Sequence, residues 1–248
     1  MLETEVHQVD QVRSVAQNVA RVQERMRQAA LRVGRDPASV RLVAAAKTVD
    51  AARVRAAIAA GVTIVGENYL QEARRKIGQL GREAVEWHLI GTLQRNKVRY
   101  VFDLFDMLQA VDRLELAEEI HRRGERMWRR MPVLLEVHIG SEASKSGFNS
   151  QALLKDVDRL ATLTHLQVQG LMTVPPLAAT PAEARPFYQE LRELRDRLAR
   201  RGIERLDFPE LSMGMTADFE VAIEEGATLV RVGTAIFGPR PTPPAHGA

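Results

Sequence analysis

Eight short apolar runs recur along this chain, each followed by a helical stretch or turn, and that alternation limits the folds open to it. The runs lie at 41–46, 62–65, 86–90, 105–111, 132–139, 166–171, 207–211 and 228–232. Helical stretches fill about 50–60, 67–80, 94–101, 113–129, 150–163, 183–201 and 217–225, and a short Thr234-Ala235-Ile236-Phe237 turn follows the eighth run. Runs of this length suit buried strands, and strands alternating with helices pair in parallel through crossovers. Eight units in about 200 residues predict an α/β fold of the closed (β/α)8 TIM type, with a doubly wound open sheet as the alternative. Ahead of the first run, Val6, Val9, Val12, Val15, Val19, Val22, Met26, Ala29 and Val33 recur at helical spacing. They predict a long amphipathic helix over 6–33, stopped near Gly34 and Pro37 and packed outside the barrel. No linker interrupts 41–238, so residues 1–240 read as a single domain. Pro239 and the three prolines after it mark 241–248 as a disordered tail.

Composition removes several classes of function. The chain has no cysteine, which excludes disulfides, thiolate catalysis and Cys-ligated metals. Its six histidines form neither HxH nor HExxH spacing, so no metal site is expected. The net charge is only +3, and arginines are interleaved with acids, as in Glu190-Leu191-Arg192-Glu193-Leu194-Arg195-Asp196-Arg197. Such helix faces are solvated and ion-paired, not a nucleic-acid stripe. The start Met1-Leu2-Glu3-Thr4-Glu5 has no basic segment followed by an apolar one, and no later run approaches a membrane span. The expectation is a cytoplasmic protein without membrane contact. No P-loop, GxGxxG or GxSxG motif is present.

In such barrels the active site is built from the C-terminal ends of the strands. Those ends here are Lys47, Gly66-Glu67-Asn68-Tyr69, His88-Leu89-Ile90-Gly91, Ala110-Val111, His138-Ile139, Met172-Thr173, Ser212-Met213-Gly214-Met215 and Arg231-Val232-Gly233-Thr234. Most of the distinctive polar and glycine residues of the chain fall there. Lys47 is one of only five lysines among thirty-five basic residues. At the end of a buried strand, desolvation disfavours its ammonium form, and a neutral amine can attack an aldehyde. The bland alternative is a lysine that snorkels to solvent. The last two strand ends are where a barrel usually holds phosphate. Ser212 and Thr234 supply hydroxyls there, Gly214 lets a ligand approach the backbone, and the segment from Gly233 supplies free amides at a helix N-terminus. The same residues could serve only as caps and turns. Arg231 ends an apolar strand, so its guanidinium must find an acceptor, with Glu67 and Glu136 as the carboxylates at hand. Glu136 and His138 share one face of the fifth strand. His88 alone reads as a satisfied core histidine, and Lys145 as a loop lysine on the same barrel face.

Ala45-Ala46-Lys47-Thr48, Gly66-Glu67-Asn68-Tyr69-Leu70-Gln71-Glu72, Trp87-His88-Leu89-Ile90-Gly91-Thr92-Leu93-Gln94-Arg95-Asn96-Lys97, Ser144-Lys145-Ser146-Gly147, Gly170-Leu171-Met172, Leu211-Ser212-Met213-Gly214-Met215-Thr216 and Arg231-Val232-Gly233-Thr234-Ala235-Ile236-Phe237-Gly238 together resemble the pyridoxal phosphate homeostasis protein family. These are single-domain relatives of the barrel half of alanine racemase, and the match runs in order from about residue 5 to 240. The resemblance implies a barrel that carries pyridoxal 5′-phosphate (PLP), a form of vitamin B6, as a Schiff base on Lys47. It implies phosphate contacts from Ser212, Gly233 and Thr234, and Arg231 facing the pyridine nitrogen. Asn68, His88, Met172 and Met213 would lie around the cofactor. His138 departs from the pattern, since relatives usually carry Asn there. An arginine cannot give up its proton at ordinary pH, so Arg231 would leave the pyridine nitrogen unprotonated and a weak electron sink. The function implied is a monomeric carrier or buffer that hands PLP to apo forms of PLP-dependent enzymes, without catalytic residues. An amino-acid racemase, or another PLP enzyme of the alanine racemase type, is the alternative.

Overall fold

The computed structural model describes residues 2–140, 147–176 and 180–239, with side chains from Ser14 onward. Ser144, Lys145, Ser146 and the 241–248 tail lie outside the described residues. Helix α1 (Leu2–Arg32) comes first, followed by β1 (Arg41–Ala45), α2 (Ala51–Ala59), β2 (Ile64–Glu67), α3 (Leu70–Leu80) and β3 (Glu86–Leu89). A 3-10 segment (Arg95–Tyr100) leads into α4 (Val101–Leu104), then β4 (Met107–Val111), α5 (Leu114–Met127), β5 (Met131–His138), β6 (Phe148–Asn149) and α6 (Ser150–Ala161). The chain ends through β7 (Leu166–Met172), α7 (Pro181–Arg200), β8 (Glu210–Ser212), α8 (Phe219–Glu224), β9 (Leu229–Val232) and α9 (Thr234–Phe237).

The strands pair in parallel in the order β1-β2-β3-β4-β5-β7-β8-β9, and β9 returns to pair with β1. The ring is therefore a closed eight-stranded (β/α)8 barrel, and the open-sheet alternative is excluded by the β4–β5 and β1–β9 pairings. The two-residue β6 adds to β5 outside this ring. Each predicted run becomes one barrel strand, within three residues at either end. The stretch at 94–101 is tighter than the α-helix expected. At three residues per turn, its Val98 shares a face with Val101, and both are buried.

Two cores result. Outward-facing residues of the strands, such as Leu42, Ala44, Val65 and Leu211, pack with the helices in one large cluster. Val43, Ile64, Met107, Ala110, Leu134, Met172 and Leu229 fill the barrel interior. Arg41 closes the bottom of the barrel, 2.8 Å from Glu210 and 3.7 Å from Glu86. The helix α1 buries Val15, Val19, Val22, Met26 and Ala29 against α2, α8 and α9, as its spacing requires. Val33 lies just beyond its last turn and is exposed. Asn18 Nδ2 donates to the Ile236 carbonyl oxygen at 3.0 Å, which ties α1 to the last helix at the barrel mouth. Among the described residues no helix is long and apolar enough to cross a membrane.

Gly170 marks the tightest approach in the sheet. A Cβ there would sit 1.9 Å from the Glu210 carbonyl oxygen on the neighbouring strand. Gly170→Ala must therefore push β7 and β8 apart, with an expected loss of about 3 kcal/mol or more in urea unfolding. A variant as stable as the parent would show that this strand contact is softer than drawn.

Candidate functional site

Above the C-terminal ends of the strands lies a cavity of about 400 Å³. Lys47, Asn68, Arg231, Gly233 and Thr234 all line it, so five of the nine sequence-predicted site residues meet at one place. Lys47 stands two residues past the end of β1 and is half-buried. Thr48, beside it, takes the left-handed backbone conformation with φ +63°. Gly91 lets the Asn68 backbone settle at the rim, since a Cβ on it would lie 2.6 Å from the Asn68 carbonyl oxygen. The Asn68 Oδ1 atom is buried and has no protein partner. A buried acceptor left open beside a cavity is ready for a ligand donor.

The lining is cationic. Lys47, Arg53 and Arg231 contribute to it, and among the described residues no Asp or Glu does. Arg53 is held in place by Asp50 at 2.7 Å and by the Phe237 carbonyl oxygen at 3.2 Å. Beside the end of β1, the loops after β8 and β9 come together through Thr216, whose Oγ1 accepts from the Gly233 and Ala235 amides at 3.4 Å each. These long contacts leave both amides easily redirected to a stronger acceptor such as a phosphate oxygen. Gly233 is needed here because a Cβ would press on the Ala45 carbonyl oxygen at 3.1 Å.

Arg231 forms the floor, buried to 5% exposure. Its Nη1 donates to Ser212 Oγ at 2.6 Å and its Nη2 to the Thr173 carbonyl oxygen at 2.7 Å. Since Ser212 Oγ accepts from arginine, its own proton goes to Gln109 Oε1 at 2.6 Å. The Gln109 amide then donates from Nε2 to His88 Nδ1 at 2.8 Å, which leaves the imidazole proton on Nε2. That proton faces Glu86 Oε2 at 3.4 Å, without hydrogen-bond geometry. One buried line of donors thus runs from the cavity floor down through the barrel. Gln109 faces inward by the ordinary alternation that starts at Met107, and a bulge between Leu108 and Val111 turns the next residue, Ala110, inward as well.

This arrangement places four expected site residues away from the cavity lining. Ser212 is fully buried beneath Arg231 and committed to Gln109, not open to a phosphate. His88 lies one step deeper in the same line. Met172 packs within the barrel interior, and Met213, next to inward-facing Ser212, turns outward into the helix layer. Arg231 takes neutral acceptors instead of a carboxylate. Glu67 points outward on β2, where Lys76 binds it at 2.7 Å. Glu136 acts on Arg231 only through space, without a hydrogen bond among those the structure describes. Thr216 and Arg53 were not among the expected site residues. Thr216 sat inside a matched motif, whereas Arg53 carried no signal beyond its position in the first turn of a helix.

Compared with known proteins, residues 11–241 match the family model "Alanine racemase, N-terminal domain". That class of barrel is the one the fold and the cavity define. The pyridoxal phosphate homeostasis proteins of Aquifex aeolicus and Pseudomonas aeruginosa are 40% and 42% identical to this chain, each over 227 residues. Those alignments cover 92% of this chain in both cases, and 99% and 96% of the respective relatives. The chain belongs to the pyridoxal phosphate homeostasis protein family. The structure of PipY from Synechococcus elongatus with PLP bound is 35% identical, covers 90% of this chain and all of its own, and superposes with a TM-score of 0.79.

Across the mouth, Glu136 carries a buried oxygen with no partner. Burial, reinforced by Asp112 and opposed by Arg231, pushes its pKa up from 4.5 to about 7. A carboxyl that holds its proton more tightly when folded stabilises the protein fully below about pH 4.5, and that contribution is lost as the pH rises through 7. Glu136→Gln should flatten this part of the stability profile by on the order of 1 kcal/mol, read from urea midpoints between pH 4.5 and 7.5. Parallel profiles for the two proteins would show that Glu136 titrates normally.

Proposed function

We propose that the cavity holds PLP joined to Lys47 as a Schiff base, formed with loss of one water, and that the protein stores the cofactor and hands it on. The observation that carries this reading is the cavity's charge pattern. Among the described residues a half-buried lysine, two arginines and no carboxylate line one cavity, in a family whose Synechococcus member has PLP bound. The phosphate would lie against Thr216, the Gly233 and Ala235 amides and Thr234. Asn68 would offer its open Oδ1 at the rim. Ser212, His88 and Met172 would serve from below, by fixing Arg231 and filling the floor, and Met213 by supporting the β8 strand from outside.

Arg231 governs what the bound cofactor can do. PLP supplies an electron sink when its ring nitrogen is protonated. A guanidinium keeps its own proton, so Arg231 can only donate to that nitrogen and leaves it without one. Racemisation further needs a second base on the opposite face of the substrate. None of the three tyrosines lines the cavity. Tyr69 and Tyr100 line a neighbouring groove, and Tyr188 is buried in the helix layer. The racemase alternative therefore has no tyrosine in the cavity to serve as its second base, and we read the protein as a cytoplasmic, monomeric carrier that delivers PLP to apo-enzymes.

The test is spectroscopic. PLP-loaded protein should show the near-visible band of a lysine-linked cofactor and should restore activity to an apo-enzyme mixed with it. Lys47→Ala should lose the band while keeping its circular dichroism spectrum. A variant that retains the band would move the attachment to another lysine and refute the assignment.

A further inference from the structure

Beneath the turn that presents Lys47 lies a charged cluster that the cavity does not use. Lys76 on α3 and Glu67 on β2 are both wholly buried. An ammonium has three donors, and each finds an oxygen here: Ala46 O at 2.6 Å, Glu67 Oε1 at 2.7 Å and Glu72 Oε2 at 3.4 Å. The same Glu72 oxygen accepts the Thr48 amide at 2.8 Å. Ala46 immediately precedes Lys47 and Thr48 immediately follows it. The peptide groups on both sides of the lysine are thus bound to one buried cluster. Between them the backbone makes a tight turn, closed by the Val49 amide on the Ala46 carbonyl oxygen at 3.0 Å. That turn puts Thr48 at φ +63°, a conformation a threonine does not adopt freely.

A buried charge needs a reason. Lys76 and Glu67 lie outside the barrel interior and line none of the cavities around its mouth. A buried ion pair contributes little net stability compared with apolar side chains of similar volume. What this one does is reach the main chain at both ends of a single residue.

We propose that Lys76, Glu67 and Glu72 are positioning residues that clamp the backbone on either side of Lys47, fixing where its side chain starts and hence where its amine meets the aldehyde. The inference rests on the reading that Lys47 carries the cofactor, but the clamp itself can be observed without it. Lys76 and Glu67 set the height of the Ala46 carbonyl. Glu72 holds the Thr48 amide and so sustains the strained turn. The Gly66-Glu67-Asn68-Tyr69-Leu70-Gln71-Glu72 segment then has two duties, with Asn68 facing the cavity and the two glutamates holding the lysine from behind.

Removing Lys76 would leave Glu67 buried without its cation, so Glu72 provides the cleaner test. Glu72→Ala deletes the acceptor for the Thr48 amide, whereas Glu72→Gln keeps an oxygen there and deletes only the charge. Two quantities are measured on the full chain: hydrogen exchange of the Thr48 amide without cofactor, and the PLP dissociation constant from the absorption of the lysine-linked form. In Glu72→Ala, Thr48 exchange should speed up about tenfold and PLP should bind about tenfold more weakly, as expected for loss of one charge-assisted hydrogen bond. Glu72→Gln should stay within about twofold of the parent in both. Unchanged exchange and affinity in Glu72→Ala would overturn the clamp, and so would equal losses in the two variants. Absence of any borohydride-trapped adduct on Lys47 of the parent would instead refute the cofactor reading, while Thr48 exchange would still decide the clamp.

Discussion

A guanidinium buried under the mouth of the barrel, bonded among the described residues to neutral acceptors, sets the character of this molecule. Arg231 spends its hydrogen bonds on a serine hydroxyl and a main-chain carbonyl, so its charge is solvated without being cancelled by a bonded carboxylate. Burial lowers its proton affinity, yet an arginine starts so high that it stays charged. The positive field therefore remains directed at the cavity above, where Arg53 and Lys47 add to it. Because arginine can only donate, the orientation of every group below it follows: Ser212, Gln109 and His88 each have one donor direction. Breaking any member would leave a buried polar group unmatched, at a cost of about 1–3 kcal/mol.

The barrel is arranged to make that burial tolerable. Its bottom is closed by Arg41 between Glu210 and Glu86, with the Thr228 hydroxyl bonded to Glu210. Its middle is filled by Val43, Ile64, Leu134, Met172 and Leu229. Gln109 enters this otherwise apolar layer by the alternation of β4 and links the serine to the histidine. Outside, α1 straps α2, α8 and α9 together, so the first and last helices of the chain meet beside the cavity. The cavity is thus a product of the whole closed ring.

Much of this was legible in the residues. The alternation of apolar runs and helical stretches carried the barrel, because a parallel strand covered on both faces leaves a compact apolar signature. Lys47, Asn68, Arg231, Gly233 and Thr234 were legible for the same reason: they stand at strand ends, where a barrel has its mouth. Legibility fails one residue further down. Whether Ser212 faces a ligand or a neighbouring side chain depends on what Arg231 demands of it, and no spacing reveals that. Met213 was grouped with the site by the family resemblance, although strand alternation turns its side chain to the other face. Glu67 offered itself as a partner for Arg231 and is on the wrong side of β2; its partner, Lys76, belongs to a helix and carried no signal as a buried cation. A family resemblance located the residues, but only the packing divides those that touch the cavity from those that hold others in place.

In the function proposed above, this cavity would grip an aldehyde and a phosphate while Arg231 withholds a proton from the ring nitrogen, so that the cofactor is kept and not used. Amino acids incubated with PLP-loaded protein in heavy water, and followed by NMR at the α-carbon, test it directly. No exchange of the α-proton is expected beyond that caused by free PLP. Steady exchange with any common amino acid, at a rate proportional to protein, would contradict it.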